Sequence, residues 1–162
     1  RVRTVRARCP HVESSCFAGP TIMSVRVAGE LRRTVFERAA GCCEYCRIHQ
    51  SLVASAHQVD HVIAEKHGGP TTLENLALSC MTCNLRKASD VASFDPDTGD
   101  LVPLFNPRTQ TWPEHFTLDG PRFVGLTPIG RTTVEFLQLN SFERVIERAE
   151  LIEAGVFPTL KI

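Results

Sequence analysis

Between residues 25 and 40 the apolar side chains Val27, Leu31, Val35, Phe36 and Ala39 recur at helical spacing, while Arg32, Arg33, Glu37 and Arg38 fall mostly on the other face. This stripe predicts an amphipathic helix over 25–40, stopped by Gly41. A tight knuckle follows at Cys43-Glu44-Tyr45-Cys46. From 51 to 63 small and β-branched residues alternate loosely, which predicts a hairpin running into a strand over 59–63. Gly68-Gly69-Pro70 reads as a loop, and 80–91 as a short helix rich in Cys, Asn, Arg and Lys. The resulting order is helix, knuckle, β, β, helix.

Asp95-Pro96-Asp97-Thr98-Gly99-Asp100 is a turn cluster and a natural boundary. Beyond it, 101–105 and 122–126 read as short strands. Thr127-Pro128 has the form of an N-cap followed by proline at the first helical position. Val134, Leu137, Val145, Ile146, Ala149 and Ile152 then keep helical spacing, with a break at Asn140-Ser141 and a stop at Gly155. Trp112, His115 and Phe116 between the strands suit either a base-stacking platform or the core, and the core is the commoner use of such aromatics.

A chain of 162 residues with 43% hydrophobic content can bury one real core with a smaller appendage. Formal net charge is zero, so no global field points to a nucleic-acid partner and any such reading rests on local sites. No apolar run approaches the roughly 20 residues a membrane helix needs, and the chain is expected in the cytoplasm, away from membranes. Residues 1–22 are arginine-rich, carry Cys9 and Cys16 and precede the first methionine, Met23. They are read as a leader, disordered or not native to the domain, with a basic phosphate-touching arm as the alternative.

Seven cysteines are an odd number for a disulfide scaffold, and two pairs have the C-x2-C form that suits a metal. Cys43-x2-Cys46 and Cys80-x2-Cys83, 33 residues apart, supply the four thiolates of a closed tetrahedral zinc site. Such an ion has no open position for water and acts as a staple. Cys42 adjoins Cys43, but its spacing to Cys46 is one residue too long.

Between and after the knuckles stand Asp60-His61-Val62, Gly68-Gly69, Glu74-Asn75-Leu76-Ala77-Leu78 and Cys80-x2-Cys83-Asn84-x2-Lys87. In that order, over about residues 40 to 88, they resemble the motif of the HNH endonuclease family. The resemblance implies an α+β fold: a ββα-metal (His-Me finger) nuclease core over 23–93, stabilised by the four-cysteine zinc site and preceded by the N-terminal helix. Residues 94–162 would form an accessory β and helical extension. It also implies an endonuclease acting on DNA with Mg²⁺ or Mn²⁺ beside the structural zinc. An RNA nuclease or toxin would share the same site, and a zinc-knuckle module that binds without cutting is the non-catalytic alternative.

Phosphodiester hydrolysis needs a base for the attacking water and a cation to neutralise the phosphate. His61 suits the base, because imidazole titrates near neutral pH. Asp60 and Asn84 offer oxygens, as Mg²⁺ or Mn²⁺ prefers, and on a strand Asp60 and His61 point to opposite sides. Asn84 stands where relatives often carry histidine, and Ala64 where many carry proline. Asn75, the middle residue of the motif, is expected to pin the loop facing His61 through backbone hydrogen bonds. Lys87, and with it Arg86, is a candidate for phosphate contact, with Arg32, Arg33 and Arg38 extending that surface. His57 and His67 are further candidates near the site, each weighed against a plain structural or solvated role.

Overall fold

The structure is a computed structural model that describes residues 29–158. The expected leader and the first residues of the expected N-terminal helix lie outside them. Helix α1 (Gly29–Arg38) turns its single fully buried residue, Val35, onto the strand pair β1 (Gln58–His61) and β2 (Leu76–Ser79). The pair is antiparallel, with Val59 opposite Leu78 and His61 opposite Leu76. Helix α2 (Met81–Lys87) follows β2 directly and packs on β1. Two further antiparallel pairs come next, β3 (Ala92–Phe94) with β4 (Leu101–Pro103), and β5 (Phe116–Asp119) with β6 (Arg122–Gly125). A single-turn helix α3 (Trp112–His115) precedes β5, and α4 (Pro128–Phe136) and α5 (Phe142–Glu153) follow β6. The fold is thus mixed helix and small antiparallel sheets. Among the described residues no helix is long and apolar enough to cross a membrane.

Two expectations need correction. The hairpin expected within 51–63 does not form: Gln50–Leu52 is a 3-10 turn, and only 58–61 is strand. The partner of β1 comes instead from 76–79, whose four residues are all buried, with Leu76 and Leu78 packed on Val35 of α1. The helix expected over 80–91 ends at Lys87, because Ala88 takes a positive φ of 48° and the chain turns into β3. Thr127 does cap α4, its hydroxyl accepting from the Gly130 N–H at 3.1 Å, and the helical stretch breaks at Asn140-Ser141.

One buried cluster joins the knuckle residues Cys43, Tyr45 and Ile48 to Phe105, Phe116, Phe123, Leu137 and Leu139 of the later elements. Trp112 tilts against Phe116 with ring centroids 5.0 Å apart and donates its indole N–H to the Tyr45 carbonyl at 3.0 Å. The aromatics are therefore core, and the C-terminal elements share it with the knuckle. Asp95, only 1% exposed, ties the 95–100 turn to α4 through two bonds from the Arg131 guanidinium, 3.1 and 2.6 Å long.

The loop between β1 and β2 depends on one close backbone approach. A Cβ at Gly69 would stand 1.8 Å from the Ile63 carbonyl oxygen and 2.7 Å from Asn75 Nδ2, whereas one at Gly68 meets nothing within 4 Å. Gly68 instead has φ +80°, a left-handed conformation that glycine adopts freely. Gly69→Ala is therefore expected to destabilise the protein by several kcal/mol, and Gly68→Ala by about 1 kcal/mol. Urea denaturation of both variants checks the order; equal losses would contradict the close-approach account.

Candidate active site and metal centre

The four sulfurs of Cys43, Cys46, Cys80 and Cys83 lie within 4.8 Å of one another, and all four residues are buried. The first knuckle is shaped by the Cys43 N–H donating to the Ile48 carbonyl at 3.0 Å and by a left-handed Arg47, φ 63°. The second sits on the N-terminus of α2, where Cys80 Sγ accepts from the Cys83 N–H at 3.4 Å. Cys46 and Cys80 sulfurs are 3.7 Å apart. A tetrahedral ion with bonds of about 2.3 Å separates its sulfurs by about 3.8 Å, so the Cys46–Cys80 separation matches such an ion and the cluster as a whole could hold one. Burial pushes the Cys43 thiol well up, while hydrogen bonding from Cys43 holds Cys46 well below the usual range. Cys42 is buried outside the cluster, its sulfur 3.7 Å from the Ala40 carbonyl.

This cluster brings the N-terminus of α2 and the first knuckle alongside the strand pair, where Asp60 and His61 stand on β1 and Asn84 and Lys87 on α2. Gln58 and Asp60, two apart on β1, share a face. Opposite them on α2, Asn84 donates its side-chain amide to Gln58 Oε1, and Lys87 places Nζ 3.2 Å from Asp60 Oδ2. Asp60 Oδ2 is buried against that Lys87 ammonium. Burial raises the Asp60 carboxyl above its usual range, with Lys87 opposing.

His61 points to the other side of β1. Its Nε2 is 2.9 Å from Thr71 Oγ1, and that hydroxyl donates to Glu65 Oε1 at 3.1 Å. Because the single hydroxyl hydrogen goes to the carboxylate, the threonine oxygen must accept from the imidazole. The network therefore assigns the proton to Nε2 and leaves Nδ1 as the accepting nitrogen of the neutral ring. Thr71 and Glu65 escaped the sequence reading, since a threonine after Gly-Gly-Pro carries no signal by itself.

Asn75 accepts from the Ile63 N–H at 2.9 Å and donates to the Ile63 and Pro70 carbonyls at 2.8 and 2.9 Å. The residue thus clips both ends of the loop that carries Glu65 and leads to Thr71. Lys87 and Arg38 are turned inward, and His57 takes the structural role. Lys87 is 2% exposed and donates to the His61 carbonyl at 2.8 Å, so it braces β1 and does not face solvent phosphates. Arg38 directs its guanidinium to the Leu73 and Leu76 carbonyls at 2.8 and 2.5 Å, which holds α1 to the sheet. His57 is 5% exposed and its Nε2 lies 2.9 Å from the Ile48 carbonyl, which fastens the knuckle in the plain structural role weighed for it. Arg86, Arg32, Arg33 and His67 are exposed.

Residues 43–90 match the family model described as HNH endonuclease. Residues 43–90 are thus similar to an HNH endonuclease domain, a family whose members are in general nucleases. A curated protein of Bacillus thuringiensis, described as Septu protein PtuB, is 24% identical over 134 residues. The match takes in 81% of this chain and 49% of that protein, so the chain spans about half the length of the relative. No solved structure matches the chain.

Removing the Asn75 clip leaves two carbonyls and one amide of a tight loop without partners. Asn75→Ala is expected to cost about 2–4 kcal/mol, from a net of about 1 kcal/mol per bond plus the unpaired groups left behind. Chemical denaturation measures the loss; a change under about 0.5 kcal/mol, less than one net hydrogen bond, would show that the loop holds itself.

Proposed function

We propose that the chain is a metal-dependent endonuclease hydrolysing phosphodiester bonds in DNA, with His61 as general base. The observation that carries this reading is the tethering of His61 by one ring nitrogen, through Thr71 to Glu65, next in the chain to an Asp60 whose Oδ2 is buried against Lys87. A base held this way presents Nδ1 to a water in one direction and passes no proton to Thr71 while neutral. Asp60 and the carbonyl oxygen of Asn84 are the ligands for Mg²⁺ or Mn²⁺, two hard oxygens on facing elements. When bound, the ion neutralises phosphate charge and stabilises the departing oxygen. Lys87 balances the Asp60 carboxylate from behind and fixes the β1 backbone at His61. Asn75 acts by holding the loop. Arg86, exposed on α2, is the residue we assign to phosphate contact.

The four-cysteine cluster is read as a structural zinc site. Four sulfurs fill a tetrahedral shell, so that ion supplies no Lewis acid chemistry. The nuclease unit is taken as 23–93 and the accessory extension as 94–162. Free thiols of this kind suit a reducing cytoplasm.

Purified protein with supercoiled plasmid is expected to give relaxed circles only with Mg²⁺ or Mn²⁺. His61→Ala should lower the rate by at least about 100-fold with an unchanged thermal midpoint. Retained cleavage would remove His61 as the base, and metal-dependent binding without cleavage would favour a non-catalytic zinc-knuckle module. Cleavage of matched RNA but not DNA would transfer the same site to an RNA nuclease.

Thr71→Val should reduce kcat by about tenfold with little change in KM, because it frees the imidazole to turn. Thr71→Ser should restore the rate; a serine variant as slow as valine would count against the tether.

A further inference from the structure

Helix α5 covers the cysteine cluster and buries two arginines one turn apart, Arg144 at 6% exposure and Arg148 at 0%. Among the described residues neither guanidinium comes within 4.0 Å of a carboxylate; the ion pairs involve other residues. Arg144 instead places Nη1 and Nη2 3.4 and 3.5 Å from Cys83 Sγ, and Cys83 is itself fully buried. Arg148 donates to the Pro121 carbonyl and to Asn140 Oδ1 and lies over the Phe123 ring at 4.5 Å, all neutral partners. A buried cation without counter-charge is strongly unfavourable, so something anionic must offset this pair. Neutral thiols do not. Four thiolates around a divalent ion do: they leave two net negative charges, against two buried positive ones on one face of α5.

We propose that α5 is the built-in counter-charge of the zinc knot, with Arg144 hydrogen-bonded to the Cys83 thiolate and Arg148 behind it, so that metal loading and α5 docking stabilise each other. The proposal rests on the zinc reading of the four cysteines. It makes Arg144 a positioning residue for the metal centre, 61 residues beyond the ligand that it contacts. Metal loss would discharge the knot and leave the α5 arginines uncompensated, which loosens the helix. Conversely, loss of Arg144 would raise the negative charge on the sulfurs and make them easier to protonate or to yield their ion.

The test uses the full, zinc-loaded chain and follows zinc release to excess chelator with a colorimetric indicator. Arg144→Gln is expected to release zinc at least tenfold faster than the parent, and Arg144→Lys, which keeps the charge, to fall between. In cobalt-loaded protein the sulfur-to-metal charge-transfer band should shift in Arg144→Gln, a readout that loss of packing alone does not move. Release by folded Arg144→Gln within twofold of the parent, with an unshifted band, would overturn the proposal. If Arg144→Gln fails to fold, hydrogen exchange of the unsubstituted protein decides: residues 142–153 should lose protection when zinc is stripped, and unchanged protection there overturns the linkage. A parent that folds fully without zinc would instead remove the zinc reading, and this proposal with it.

Discussion

The convergence of four cysteine sulfurs is the constraint on which the rest of the structure depends. The β1–β2 pair is only four residues long on each side, too little for a stable unit of its own. It persists because α1 covers it, because α2 packs on β1, and because both knuckles flank it. Cys80 caps α2 and shares the cluster with Cys43 and Cys46, so the direction in which Asn84 and Lys87 leave the helix is set by sulfur positions. Within this frame the backbone of β1 is clamped by Asn75 on one side and by Lys87 on the other.

That frame explains how a short sheet holds three polar side chains in tension. Asp60 is half-buried with its Oδ2 against the Lys87 ammonium, while His61, its neighbour, faces the other way and is tethered through Thr71. A buried carboxylate oxygen is unfavourable in a protein interior unless a charge offsets it, and the Lys87 ammonium does so here.

Much of this was legible in the chain. Two C-x2-C pairs announced the cluster, since the spacing itself is what lets each pair chelate, and Thr127-Pro128 announced the start of α4 because both signals are local. The failures share one cause: the deciding partner is remote in sequence. The partner of β1 is β2 and not the adjacent 51–57 stretch, because the burial that favours Leu76–Ser79 comes from α1 and the knuckle. Lys87 looked like a phosphate contact, but Asp60, 27 positions earlier, draws it inward. Thr71, Glu65 and Arg144 carry no local pattern; only the folded chain gives them His61 and Cys83 as partners.

The central claim is that Asp60 and Asn84 share one divalent cation beside His61. Paramagnetic broadening by substoichiometric Mn²⁺, read in NMR spectra of the zinc-loaded protein, tests it most directly. The account predicts that the Asn84 side-chain amide and the His61 ring signals broaden first and that Asp60→Ala abolishes the effect. Broadening confined to exposed acidic residues, with the Asn84 and His61 signals unchanged, would contradict it.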